Sequence, residues 1–178
     1  RQLLSRETIE TNVASHSAIA QSLFARAGLT AEFVDNYSWT HNVSILDFLR
    51  DIGKHFTVNY MIAKEVVKTR LSGEGISFTE FSYMLLQSFD FLHLYRSKEC
   101  RLQFGGSDQW GNITSGLELI RRSIQGEAFA FSVPLCVDSE GRKLGKTAAG
   151  AVWINKEGLS PYEFHQYWFN TSDADVEK

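Results

Sequence analysis

The sequence predicts an α/β fold with an open crevice, and three observations carry that prediction. A short apolar run closing on Leu102 and Phe104 reads as a buried strand. Behind it, Ile113, Leu117 and Ile120 recur at a helical spacing that turns one apolar stripe to the core. Between the two stands Gly105-Gly106-Ser107-Asp108-Gln109-Trp110-Gly111-Asn112, whose leading glycines let backbone approach a ligand where a side chain would collide. Ser107 or Asp108 is placed to cap the new helix, and the unpaired N–H groups of a helix start favour a polar or anionic guest. Crevices at the carboxyl ends of strands are where open α/β sheets bind nucleotides and small substrates. A tight corner between strand and helix uses the same glycines. Asp108, Gln109 and Trp110 together argue for a site.

At 178 residues the chain suffices for one domain with a sizeable core, or for part of a larger one. A net charge of −3 gives no broad nucleic-acid footprint, so any RNA contact has to come from local patches. Cys100 and Cys136 lie far apart, with no CxxC and no histidine at ligand spacing; both are expected to be reduced and buried, with no metal site. No apolar run approaches the ~20 residues of a membrane span. There is no starting methionine and no signal or transit segment, and both ends read as cut.

In chain order, Ile9, Val13, Ala20, Phe24 and Ala27 fall on one face of a helix from Ser5, which Gly28 ends. Phe33-Val34 is a short strand candidate leading into the polar-aromatic turn Asp35-Asn36-Tyr37-Ser38-Trp39. That turn either lines a pocket or is a loop anchored by its tryptophan. Ser44 with Asp47 resembles a capping box before Ile45, Phe48, Leu49 and Ile52. Asn59 is a candidate cap for a helix from Tyr60 to Leu71, with Lys64 and Lys68 one turn apart on a face that suits a solvated surface.

Gly73 and Gly75 break the chain, and Ser77 or Thr79 opens a helix to about Tyr95. Phe81, Met84, Leu85, Leu86, Phe89, Phe91 and Leu92 surround it with apolar groups, which predicts burial on nearly all sides. Yet Tyr83, Gln87 and Asp90 sit at i, i+4 and i+7, within an arc of about 60°. Buried carboxylates and amides are costly unless paired. A polar guest would pair them; so would neighbouring backbone or a water-filled groove.

Phe129 to Val137 reads as a strand interrupted at Pro134, and Asp138 to Gly141 as a turn. Arg142-Lys143-Leu144-Gly145-Lys146-Thr147 then forms a cationic loop suited to phosphate oxygens. It is not a Walker A loop. That pattern needs glycine where Glu140 stands and a helix directly afterwards, whereas 148–154 reads as loop and strand. Ser160 and Pro161 start a helix to Phe169, and Asp173 starts another.

Five segments carry a family resemblance: Val34-Asp35-Asn36, residues 48–56, residues 75–83, the run at 105–112, and Lys143-Leu144-Gly145-Lys146-Thr147. Together they resemble the bacterial and organellar tyrosyl-tRNA synthetases over nearly the whole chain, most weakly in residues 1–32. The resemblance implies a class I synthetase on a Rossmann-type fold, of which this chain supplies the second half. Residues 1–154 would be a partial Rossmann-type catalytic domain with a helical connecting insertion at about 35–77. Residues 155–178 would open an all-α anticodon-binding domain, truncated here.

The family activates tyrosine with Mg-ATP and passes it to tRNA(Tyr), usually as a homodimer. By resemblance Asp90 accepts a hydrogen bond from the substrate phenol, Tyr83 and Gln87 hold its ammonium end with Asn36 in support, and Gln109 lies near its carboxylate. Gly106 and Asp108 would meet the ATP ribose. Lys143, Lys146 and Thr147 match the Lys-Met-Ser-Lys-Ser loop, with Leu144 a mild departure from the phenylalanine common in tyrosyl members. Two lysines closing on the reacting phosphates would favour the transition state over bound ATP, and Lys146 would touch ATP itself. Tyrosyl enzymes are themselves the reference case for excluding an amino acid that lacks a hydroxyl, through a buried polar partner left unpaired.

The family's His-Ile-Gly-His signature is absent from these residues, so the chain is expected to be a piece that does not catalyse alone. The expected setting is intracellular, either bacterial cytoplasm or mitochondrial matrix, with no membrane partner and no protein-ligated metal. Tryptophanyl-tRNA synthetase shares the fold and the lysines; Tyr83, Gln87 and Asp90 argue against it. A non-catalytic RNA-binding or structural paralogue is the other alternative.

Overall fold

The computed structural model describes residues 4–73, 75–147 and 150–176, the side chains of 146, 147 and 150 excepted. Within them the chain forms two compact units, one of residues up to Tyr37 together with those from Cys136 onward, the other Ser38–Leu135.

In the first unit, Ser5 fixes where the chain becomes helical. Its hydroxyl accepts from the Thr8 N–H at 3.2 Å, and α1 (Arg6–Arg26) ends before Gly28 adopts a left-handed φ of +69°. The apolar stripe of α1 is exposed rather than packed. Phe33-Val34 is not a strand: it has no ladder partner among the described residues, and Phe33 instead meets Phe24 edge-on at 5.7 Å.

The chain then turns through α2 (Tyr37–Thr40) and α3 (Ile45–Asp51), the latter capped by Ser44 as expected. The single helix expected from Tyr60 to Leu71 is two, α4 (Val58–Ile62) and α5 (Glu65–Leu71), and Thr57 rather than Asn59 caps the first. Lys64 sits at the break. Its ammonium is drawn over the Tyr60 ring at 4.4 Å and to Thr114 Oγ1 at 3.3 Å, so it is not a solvated twin of Lys68.

Ser77 and Glu80 form a full capping box at the start of α6 (Phe78–Lys98), which runs past the expected end at Tyr95. Met84, Leu85, Ser88, Phe91 and Leu92 are buried, but the all-round burial expected of this helix is not found. Tyr83 is 54% exposed and Leu86 is exposed as well. One side of α6 lies open, and the polar stripe flanks that side.

β1 (Leu102–Gly106) pairs in parallel with β2 (Phe129–Val133), Leu102 opposite Phe129 and Gly106 opposite Val133. The strands are joined by α7 (Trp110–Ile124), the long crossover that parallel pairing requires. Ile113, Leu119 and Ile120 of α7 are fully buried against α6 and the sheet. The strand face is the reverse of the expectation. Gly105 faces α7, and the alternate residues Leu102 and Phe104 point outward, with Phe104 65% exposed and stacked on Phe131 at 5.0 Å.

β2 stops before Pro134 as expected. In the first unit's second segment, β3 (Lys146–Thr147) pairs antiparallel with β4 (Gly150–Ala151), and Ser160 with Glu163 caps α8 (Pro161–Phe169). The helix expected from Asp173 is a turn over its described residues. Cys100 and Cys136 are free thiols, but Cys136 is exposed, and Cys100, just past the end of α6, packs against the core only in part.

Candidate functional site

The glycine-rich turn is built by crowding. A Cβ on Gly106 would lie 2.8 Å from both Asp108 Oδ1 and Leu135 Cδ2, and one on Gly105 would lie 3.3 Å from Ile113 Cδ1 and 3.4 Å from Gln109 Cβ. Gly106 has an ordinary φ of −64°, so close approach rather than backbone freedom selects glycine there. The expected side-chain cap is absent. Ser107–Gln109 forms a 3-10 turn that leads into α7, so the N-cap positions fall on Gly106 and Gln109, neither of which makes a side-chain capping bond. Asn112 donates to the Gln109 amide oxygen at 3.4 Å, so Gln109 offers its N–H groups to anything else.

Gln103 is a partly buried polar residue of β1 that the sequence analysis does not single out. It lies two positions before Gly105 and so on the same strand face, and its amide oxygen is buried with no hydrogen-bond partner. A polar residue inside an apolar strand, in phase with the glycine, was the available signal.

On α6, Tyr83, Gln87 and Asp90 occupy one arc, about 40° to 100° round the axis from Phe91, the residue that meets α7 at Gly116. They differ in cover: Asp90 and Gln87 are half-buried, and Tyr83 is exposed. Asp90 is gripped from outside its own helix, with the Trp39 indole N–H donating to Oδ1 at 2.9 Å. The tryptophan of the polar-aromatic turn is thus an anchor whose partner is the carboxylate itself.

Asn36 and the lysine loop belong to the other unit. Asn36 lies in the turn before α2, where Asp35 Oδ1 accepts from the Tyr37 N–H at 2.9 Å. Lys143 is bridged to Val137 across a hairpin whose corner, Gly141, has a φ of +78°. Asp138 organises that corner: its carboxylate accepts from the Glu140 and Arg142 N–H groups at 3.0 and 2.8 Å and from Arg142 Nε at 2.6 Å. The Arg142 guanidinium beside Asp138 holds that carboxyl below its usual range. With Glu140 also at 2.9 Å, the Arg142 guanidinium is taken up by carboxylates of the turn. Lys146 and Thr147 have their backbone in β3; their side chains lie outside the described residues.

Among the described residues no group of three or more His, Cys, Asp or Glu side chains could hold a metal ion, and no helix is long and apolar enough to cross a membrane.

Residues 1–178 match the family described as tRNA synthetases class I (W and Y). The chain is 53% identical over 184 aligned residues to a tyrosine–tRNA ligase of Bacteroides fragilis, covering 100% of this chain and 43% of that protein. It is 55% identical over 157 residues to tyrosine–tRNA ligase 1 of Bacillus subtilis, covering 87% of this chain and 37% of the relative. A C-terminally truncated mitochondrial tyrosyl-tRNA synthetase of Aspergillus nidulans superposes with a TM-score of 0.74 at 25% identity, over 99% of this chain and 54% of that one. The chain therefore spans less than half the length of the relatives it matches in sequence.

Proposed function

The chain belongs to the class I tRNA synthetases of the tryptophan and tyrosine family, and we propose from that membership that the protein carrying it activates tyrosine with ATP and transfers it to tRNA(Tyr). The relatives named above are tyrosine–tRNA ligases, and the fold is a partial Rossmann-type catalytic domain. We assign residues 1–154 to that domain, with its helical insertion at about 35–77, and 155–178 to the start of the anticodon-binding domain.

The observation that carries the choice of tyrosine is Asp90, a half-buried carboxylate on α6 to which the Trp39 indole already donates. A phenol is a donor that such a carboxylate can take, and phenylalanine has none to give. Tyr83 and Gln87, along the same arc, and Asn36 hold the ammonium end. Gln109 donates toward the substrate carboxylate, while Gly106 and Asp108 admit the ATP ribose.

In the reaction the tyrosine carboxylate attacks the α-phosphorus in line and pyrophosphate leaves. Negative charge grows on the equatorial and leaving oxygens, where Lys143 and Lys146, with Thr147, stabilise it more than in bound ATP. Mg2+ would enter with the nucleotide as part of the substrate. No protein nucleophile is needed.

The working form would be a homodimer, and Phe78, 77% exposed at the start of α6, supports an apolar contact there; sedimentation of the intact protein tests it. Bacterial cytoplasm or the mitochondrial matrix is the setting this reading implies.

The deciding experiment is calorimetry of the intact protein with tyrosine and tryptophan, with Asp90→Ala in parallel. Tyrosine is expected to bind and to lose its advantage in the variant. Tighter binding of tryptophan would overturn the assignment.

A further inference from the structure

The lysine loop is fastened to the helix that follows it. Lys143 closes the first of two short ladders, paired with Val137, while the Leu144 N–H donates to the Cys136 carbonyl at 2.9 Å. Lys146 opens the second ladder, paired with Ala151 between β3 and β4. Gly145 is the corner between them. Its φ is left-handed at +84°, and nothing lies within 4 Å of where a Cβ would stand, so glycine serves there for backbone freedom. Its carbonyl accepts from the Val152 N–H at 2.9 Å. Its N–H enters neither ladder and donates at 3.2 Å to the hydroxyl of Tyr167, 22 positions along on α8. The Tyr167 ring is half-buried and met edge-on by Trp168 at 5.1 Å. A second tie joins the other corner to the same segment: Ser139 Oγ donates at 3.1 Å to Asp175 Oδ2, which also takes the Ser172 hydroxyl at 2.7 Å.

We infer that Tyr167 is a positioning residue for the reaction: it pins the corner between Lys143 and Lys146 and so sets how the two lysine-bearing ladders stand to each other. The inference rests on the reading of those lysines as the groups that stabilise the reacting phosphates. Two cations favour a transition state most when they are presented in one arrangement, because every other arrangement must be given up before reaction. The corner is where that arrangement is weakest. A glycine at positive φ turns with little resistance, and the two-residue strands β3 and β4 make a ladder too short to hold itself. An acceptor from outside the loop, placed on the corner N–H, removes that freedom. A tyrosine supplies it at low entropic cost, having only two side-chain torsions to fix. The Ser139–Asp175 bond is exposed and adds a weaker hold at the hairpin tip.

The test measures kcat for tyrosine-dependent ATP–pyrophosphate exchange, with KM for tyrosine, in the intact protein. The variants are Tyr167→Phe, Ser139→Ala, Lys143→Ala and the Tyr167→Phe/Lys143→Ala pair. Tyr167→Phe deletes one oxygen and keeps a ring beside Trp168; kcat is expected to fall about three- to tenfold with KM for tyrosine unchanged. Ser139→Ala, which cuts only the exposed tie, should cost less, and a larger loss than in Tyr167→Phe would overturn the inference. With Lys143 already replaced, Tyr167→Phe should cost little more, because one of the two groups it arranges is gone. A general structural contribution would instead act in full on top of Lys143→Ala, or raise KM for tyrosine as well; either result would overturn the inference. If Lys143→Ala lowers kcat while Tyr167→Phe does not, the lysine reading stands and the positioning role is wrong. If Lys143→Ala itself leaves kcat intact, the lysine reading fails.

Discussion

Gly116 of α7 and Phe91 of α6 meet with no room for a methyl group between them: a Cβ on Gly116 would lie 2.9 Å from Phe91 Cδ1 and 3.3 Å from Phe91 Cβ. Phe91 is buried at the centre of the core shared by the two helices, with Leu119 and Ile120 beside it, so its ring has nowhere to retreat. Gly116→Ala would gain about 1 kcal/mol of helix propensity and lose about 1–3 kcal/mol to overpacking. A net destabilisation of about 1 kcal/mol follows, larger for Gly116→Val. Denaturant unfolding of the intact protein checks it; a stabilised alanine variant would show that the helices can spread without cost.

Gly106→Ala should behave differently. The two atoms its Cβ would strike, Asp108 Oδ1 and Leu135 Cδ2, are the far ends of side chains that can move, and φ at Gly106 is ordinary. Stability should change little. Displacing the Asp108 carboxylate should instead raise KM for ATP while leaving KM for tyrosine near its original value, as steady-state exchange kinetics would reveal.

Acid should weaken the Ser38–Leu135 unit in two stages. Burial, and then Lys54 and Arg122, lower the pKa of His55 from its ordinary 6.5. A lowered folded value means that the unfolded chain binds the proton more tightly. The stability tied to neutral His55 is therefore complete above about pH 6.5 and is lost as pH falls toward the lower folded value. Glu118 follows at lower pH. Its hydrogen bond from Arg121, and then that from Arg122, lower it from 4.5, so its contribution holds above that value and disappears as pH falls through the folded one. His55→Gln should flatten the first part of a stability-against-pH curve and Glu118→Gln the second. A curve unchanged by both would contradict the linkage.

What could be read in advance was what is local. Ser77 with Glu80, Ser160 with Glu163, and Gly28 announced their helix ends because caps and left-handed turns involve residues three or four apart. The break at Ala63-Lys64 was not legible, since no glycine or proline marks it and the side chain it frees is drawn to Tyr60 and Thr114, the latter fifty positions along. Alternation fixed which residues of β1 share a face, but not which face is covered, so Phe104 was placed inside and stands outside. The site divides similarly. The stripe on α6 and the glycine turn were visible as patterns. The Trp39–Asp90 bond, joining positions 51 apart, is a product of the fold and had no spacing to betray it.

The cationic loop yields the last prediction, because the structure sets Arg142 and Lys143 in different places. Arg142 is bonded to Asp138 and Glu140 at the hairpin corner, whereas Lys143, next in sequence, continues into the ladder position opposite Val137. If the loop acts on the phosphates through its lysines, Lys143→Ala should lower kcat by about 10²-fold with little change in KM for tyrosine, the mark of an interaction made in the transition state. Arg142→Ala should remove a tether from the turn and cost much less in kcat. Asp138→Asn, which keeps the shape but weakens the hold on Arg142, should resemble Arg142→Ala rather than Lys143→Ala. Pre-steady-state measurement of adenylate formation separates these outcomes from slow product release. Equal losses in Arg142→Ala and Lys143→Ala would mean that the guanidinium leaves its carboxylates to join the reaction, and the division of labour drawn from the hairpin would be wrong.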